Sequence, residues 1–204
     1  MLALAKPAEA RIIYTPANQL CPCKLDLNHG GTVDFIIHSH YFPFTHSMLV
    51  EAASGNAVVG TLTSMEPISW AAALKQGSRI GRSRRFFSHG SYGQAMAEVS
   101  YNSSGPGTWI RGPWVNVKNR YLGVRFQVRG KTHYGWARLT VHVGSGNGLP
   151  ITATLTGYAY ETIPNKPIIA GQEHGKDEAT LGHLATGASA IPAWRVKPTA
   201  ATSH

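Results

Sequence analysis

The residues best suited to chemistry fall in the first quarter of the chain. Asp26, Asn28 and Asp34 flank Gly31 with the spacing of a calcium loop, in which oxygen ligands alternate around a glycine that permits a sharp turn. Gly30 stands where a central carboxylate would add charge, and no glutamate fills the distal bidentate position, so a calcium site here is expected to be weak. The competing reading is a glycine-rich turn held by Asx hydrogen bonds. His38 and His40 lie two apart on an expected strand and share a face. His46 can return to them through residues 41–45, and the trio suits zinc or copper unless hydrogen bonds already satisfy the rings.

Two further sets suit a polymeric ligand. Arg79, Arg82, Arg84 and Arg85 crowd a Gly/Ser-rich stretch and can bind phosphate or an acidic polysaccharide; the alternative is a solvated loop. Trp109, Trp114, Tyr134 and Trp136, with Tyr158 and Tyr160, can stack on sugar rings as an aromatic platform, or fill a core. No catalytic set is assigned: there is no Gly-x-Ser-x-Gly elbow, and Glu51, Glu66, Glu98 and Glu161 lie far apart. Cys21 and Cys23 are separated only by Pro22. In an extended chain a bond between them is not expected, which leaves metal binding, a bridge to another chain or an inert pair.

Short strands must position these residues. Charged residues are only 14% of 204, with 22 Gly and 12 Pro, a balance that favours many turns over long salt-bridged helices. Residues 11–15 read as a first strand closed by Pro16, and Val33, Phe35 and Ile37 alternate along a second. Residues 48–53 and 57–62 flank Ser54-Gly55-Asn56 as a hairpin signal, and residues 95–101 suit a further strand. The plainest pattern is Leu122, Val124, Phe126 and Val128, then a turn at Arg129-Gly130-Lys131, then Ala137, Leu139, Val141 and Val143. Residues 151–161 continue the series with Thr152, Thr154 and Thr156 on one face. Residues 68–75, with three consecutive alanines before Leu74, are expected to form one or two helical turns.

The expected architecture is an all-β, antiparallel β-sandwich or jelly-roll-like single domain over residues 11–171. Residues 1–10, ending in Ala8-Glu9-Ala10, read as the remnant of an export signal or a disordered N-terminus, and residues 172–204 as a loose C-terminal tail. No run approaches the ~18 consecutive apolar residues that a membrane-spanning helix needs. The formal charge of +9 favours an anionic partner.

The block from Arg120 to Phe126, the block from Thr132 to Leu139 and the block from Leu155 to Gly171 resemble, in order and spacing, a family of exported bacterial (Acidobacteria-type) β-domains related to the PEP-CTERM sorting-tail proteins. The likeness covers residues 114–171 closely and 11–171 loosely. The Asp26 to Phe35 segment resembles one these proteins carry near their start, and residues 181–188 with Trp194 and Arg195 resemble a worn sorting tail. That tail lacks the preceding Pro-Glu-Pro, and His183 and Pro192 interrupt its apolar stretch. The resemblance implies a secreted or cell-surface location and carries over no catalytic residue. The resulting expectation is an exported structural or ligand-binding β-domain whose partner is a glycan, extracellular matrix or an anionic surface polymer, with no specific nucleic-acid recognition. The alternatives are an enzyme acting on extracellular polysaccharide and a protein that binds calcium, or zinc or copper.

Overall fold

The computed structural model describes residues 11–62, 69–88, 93–101, 107–145 and 149–175. Residues 1–10, Glu66, residues 181–188, Trp194 and Arg195 therefore lie outside the described residues. Residues 174–204 form a separate unit, of which only His174 and Gly175 are described. The fold is all-β, and no helix occurs among the described residues.

In chain order the strands are β1 (Ile12–Leu20), β2 (Cys23–Leu25), β3 (Phe35–Phe42), β4 (Thr45–Ala52), β5 (Ala57–Leu62), β6 (Ser69–Ala71), β7 (Ala73–Leu74) and β8 (Arg79–Ile80). They continue with β9 (Phe86–Phe87), β10 (Gln94–Tyr101), β11 (Thr108–Arg111), β12 (Val117–Val128), β13 (Lys131–Val143), β14 (Ile151–Glu161) and β15 (Ile168–Ile169). One sheet runs β1-β14-β13-β12-β5-β6-β10-β4-β3-β2 and is nearly closed into a barrel-like shape. Its two margins, β1 and β2, are consecutive in the chain. All pairings are antiparallel except the single parallel contact of β10 with β6 at Ala95 and Trp70. β5 belongs to both layers: Val58 pairs with Val124 of β12, while Gly60 pairs with Ala71 of β6. Gly60 suits that corner because a Cβ there would stand 2.4 Å from the Phe87 ring.

The alternation read between residues 121 and 143 is realised as the β12–β13 hairpin. Arg129 and Gly130 have φ of 50° and 73°, and Val128 pairs with Lys131; two central residues with positive φ make a two-residue turn that matches strand twist. Leu122, Val124, Phe126, Leu139 and Val141 are all buried. They meet Leu25, Phe35, Ile37, Met48 and Met96 from the second layer, and each such side chain contributes about 1.5–3 kcal/mol on full burial. A second, smaller core lies on the other face of the first layer, where Ile80, Tyr121, Tyr134, Trp136 and Ile168 pack together.

Four local expectations are corrected. Residues 68–75 are not helical: β6 pairs with β5 and β7 with β12. Trp70, Ala71 and Ala72 are buried in the sheet, and that packing outweighs alanine's helical preference. Residues 48–53 and 57–62 are joined by a tight turn but do not pair. β4 is flanked by β3 and β10, and β5 by β12, β9 and β6, so this turn carries the chain between layers. β1 continues through Pro16 to Leu20 with an irregularity between Pro16 and Gln19, as a marginal strand can because proline's missing N–H faces no partner. Finally, Cys21 and Cys23 are disulfide-bonded. The premise of an extended chain fails there: residues 21 and 22 form a bend between β1 and β2, and the two Cα atoms stand 4.4 Å apart.

Candidate functional site

A groove of about 890 Å³ opens at one end of the barrel. Its walls are the loop between β2 and β3, the β12–β13 turn and the segment following β14. Asp34 anchors the first wall. Leu27 N–H donates to its Oδ2 (2.9 Å) and the Asn56 amide to its Oδ1 (3.2 Å), while Gln127 N–H donates to Asn56 Oδ1 (3.0 Å). One chain of bonds thus ties the β2–β3 loop, the β4–β5 turn and the end of β12. Burial pushes the Asp34 carboxyl above the ordinary carboxylate range, with the bonds from Leu27 and Asn56 opposing.

His133, Tyr160 and Thr162 line the second wall. The His133 Nδ1 lies 2.9 Å from the Glu161 carbonyl oxygen, an acceptor only, so Nδ1 carries the proton in the neutral ring and Nε2 keeps a lone pair. The buried Glu161 carboxylate accepts from Ile163 N–H (3.0 Å) and pairs with Lys166 Nζ (3.2 Å). Tyr160 lies edge-on to Phe126 and to His133, and burial raises its hydroxyl pKa. At the lip, Arg129 and Lys131 are exposed, and neither has a carboxylate partner among the described residues. Asn28, His29, Thr32 and Thr162 add polar groups. Because Asp34 faces internal donors, the accessible charge of the groove is positive.

The calcium candidates border this groove but turn inward. Asp26 accepts from Gly30 N–H (3.0 Å) and Gly31 N–H (2.7 Å), and Asn28 Oδ1 also accepts from Gly30 N–H (3.1 Å). These are the Asx bonds of a turn, and Asp34 is occupied with Leu27 and Asn56. Among the described residues no three His, Cys, Asp or Glu side chains come together as metal ligands. The histidine trio is split by strand parity. His40 pairs with Ser47 and Tyr41 with His46, so His38 and His40 share one face of the sheet while His46 points to the other. His38 Nε2 lies 2.9 Å from Glu51 Oε1. His46 is buried, stacked on Tyr41 at 3.8 Å, and burial lowers its pKa against a backbone contact with Leu149.

The aromatic platform is not assembled either. Trp114, Tyr134 and Trp136 are buried, and of the four only Trp109, 59% exposed, presents its ring to solvent. Trp114 Nε1 donates to Ala71 O across the main core (2.9 Å), and Tyr134 and Trp136 fill the second core. Arg79, Arg82, Arg84 and Arg85 are all exposed and have no carboxylate partner among the described residues. Arg84 Nε donates to Arg79 O (2.9 Å), which fixes one guanidinium on the loop. Glu51, Glu98 and Glu161 are engaged separately by His38, Arg111 and Lys166, so no two of them form a facing acid pair.

A different apolar surface lies at the opposite end. Tyr41 (68% exposed), Phe42 and Phe44 surround the β3–β4 turn, Trp109 and Ile110 lie on β11, and Leu20 (65% exposed) ends β1. The register puts them at one end: Phe42 pairs with Thr45, Thr45 with Ser100, Ser100 with Trp109, and β1 reaches Leu20 after starting beside Glu161.

Sequence reasoning missed Asn56, Gln127 and His133, whose roles come from long-range contacts. It also missed the rim, although Tyr41-Phe42-Pro43-Phe44 places aromatics in a turn where polar residues are usual. Comparison with protein-family models, curated proteins and solved structures gives no match to this chain.

Proposed function

We propose that this chain is an exported, surface-associated binding module whose groove takes an acidic segment of an extracellular polysaccharide. The observation that carries the reading is the pair of exposed cations, Arg129 and Lys131, set at a two-residue turn over a groove whose lining carboxylate, Asp34, is satisfied from within. The arginine loop of residues 79–85 and the formal charge of +9 support the same sign of partner. Export is inferred from the resemblance of residues 114–171 to exported β-domains.

Binding to a uronate-rich polysaccharide and to a neutral one of equal length tests the reading. The acidic polymer should bind, and its affinity should fall as salt is raised, because exposed charges are screened within about 10 Å at 0.1 M salt. Arg129→Asn with Lys131→Ser should weaken binding by at least about tenfold, since a hydrogen bond to a charged group is worth about 1.5–3 kcal/mol. Asn is chosen because it tolerates the positive φ of position 129. Equal binding of the neutral polymer, or no effect of salt, would sink the reading.

A further inference from the structure

We propose that Cys21–Cys23 is an exchanging disulfide that oxidises thiols carried on apolar peptide segments. Its span argues against a structural staple. A disulfide constrains the unfolded chain more as its loop lengthens, and this one encloses only Pro22 between two strands already consecutive in sequence. The chain holds no other cysteine with which the pair could be shuffled.

The two sulfurs differ in access. Cys23 is 1% exposed, pairs with Ile37 and belongs to the main core, whereas Cys21, packed against the same core, is partly exposed between Leu20 and the exposed Pro22. A thiolate arriving from solvent therefore reaches Cys21 Sγ first. Leu20, 65% exposed, adjoins Cys21 in the chain, and Pro22 between the two cysteines is exposed as well. Leu20 and Pro22 offer apolar contact to side chains flanking the incoming thiol.

The exchange balances in two steps. The substrate thiolate places its electron pair on Cys21 Sγ and forms a mixed disulfide. The Cys21–Cys23 bond breaks, its pair leaves on Cys23 Sγ, and that sulfur takes a proton from solvent. A buried neutral thiol suits the core, since it packs as a small apolar group. A second substrate thiolate then attacks the substrate sulfur of the mixed disulfide, and Cys21 leaves and is protonated. Two substrate thiols become one disulfide, and the cysteine pair gains two electrons and two protons.

The oxidised full chain should be incubated with reduced glutathione in one arm and, in the other, with a short peptide carrying one cysteine between leucines, then acid-quenched and weighed by mass spectrometry. Mixed disulfide should form with the fold intact by circular dichroism, faster with the peptide than with glutathione by about tenfold, the worth of one partly buried apolar side chain. Leu20→Ser should remove most of the peptide's advantage over glutathione. In single variants, the thiol left by Cys23→Ser should react with an aromatic disulfide at least about a hundredfold faster than the one left by Cys21→Ser, as access governs the rate. Should a single variant fail to fold, the oxidised parent chain decides alone. A disulfide that resists both thiols until denaturant unfolds the chain overturns the proposal, as do equal rates for the two single variants, and equal rates for glutathione and peptide overturn the peptide substrate.

Discussion

At the groove end the buried polar groups answer one another: Asp34 with Leu27 and Asn56, His133 with Glu161, Glu161 with Lys166. At the rim end the Tyr101 hydroxyl is buried with no hydrogen-bond partner among the described residues. The same end holds His46 in a site that disfavours its charge, and it holds Phe44 at a φ of 64°. One end satisfies its buried polar groups and carries its charge at the lip. The other exposes apolar side chains and keeps costly local features beneath them. Such features concentrate where a surface is constrained by something other than folding, so the two ends should respond to substitution in different ways.

The largest effect belongs beneath the groove. Phe126 is fully buried and edge-on to Tyr160, and Phe126→Ala should cost about 3–5 kcal/mol in denaturant unfolding. A loss below about 1 kcal/mol, the usual surface range, would show that Phe126 is not packed in the main core. Next comes the anchor of the groove wall. Asp34→Ala strands the Leu27 N–H and the Asn56 amide, and leaving buried donors unmet should cost about 1–3 kcal/mol. Asn56→Ala breaks the same chain, and a double-mutant cycle should show the two losses to be strongly non-additive. Additive losses would mean that the loop and the turn are held independently.

The contrast between the ends also explains which parts were legible in the sequence. The β12–β13 hairpin was plain because period-two alternation and an Arg-Gly turn are local signals, and β14 followed from its threonine face. The groove walls were not, since Asp34, Asn56 and Gln127 meet only once three distant turns converge. Strand parity decided the histidines: one extra residue in the β3–β4 turn region would have placed His46 with His38 and His40, and no composition argument sees that register. Trp136 and Tyr134 misled because β13 is buried on both faces there, the outer one covered by the segments around β8 and β15. The alanines of residues 71–73 misled because small side chains at a layer junction favour close sheet packing over the helix their propensity suggests.

Acid tests the rim end. The folded pKa of His46 lies below its unfolded value of about 6.5, so above that pH the ring is neutral in both states and costs nothing. As pH falls below about 6.5 the unfolded chain takes up a proton that the folded chain resists, and stability falls with a slope of at most about 1.4 kcal/mol per pH unit. His46→Phe keeps a ring against Tyr41 and cannot titrate, so the difference in unfolding free energy between parent and variant should be flat above pH 7 and should favour the variant increasingly toward pH 5. A difference that does not change with pH would place the burial penalty elsewhere.

The smallest effect is the sharpest test of why the rim exists. In the β3–β4 turn Pro43 is followed by Phe44 at φ 64°, the position of a type II turn that glycine normally fills. A bulky L-residue in that region carries about 1–2 kcal/mol of steric cost, and with 60% of Phe44 exposed little burial offsets it. Phe44→Gly removes the clash but adds freedom to the unfolded chain, which returns roughly 0.5–1 kcal/mol. The net expectation is a protein more stable by up to about 1 kcal/mol, with less binding of an apolar dye at the rim and unchanged binding of acidic polymer at the groove. Arg129 sits at φ 50° on the groove turn and is followed by Gly130 at φ 73°, so both turns hold a bulky residue at positive φ, one carrying a charge and the other an aromatic ring. If Phe44→Gly instead destabilises the chain, the ring is packing against its own barrel and the rim is structural; if stability rises while dye binding at the rim falls, the aromatic is kept for what it contacts outside the fold.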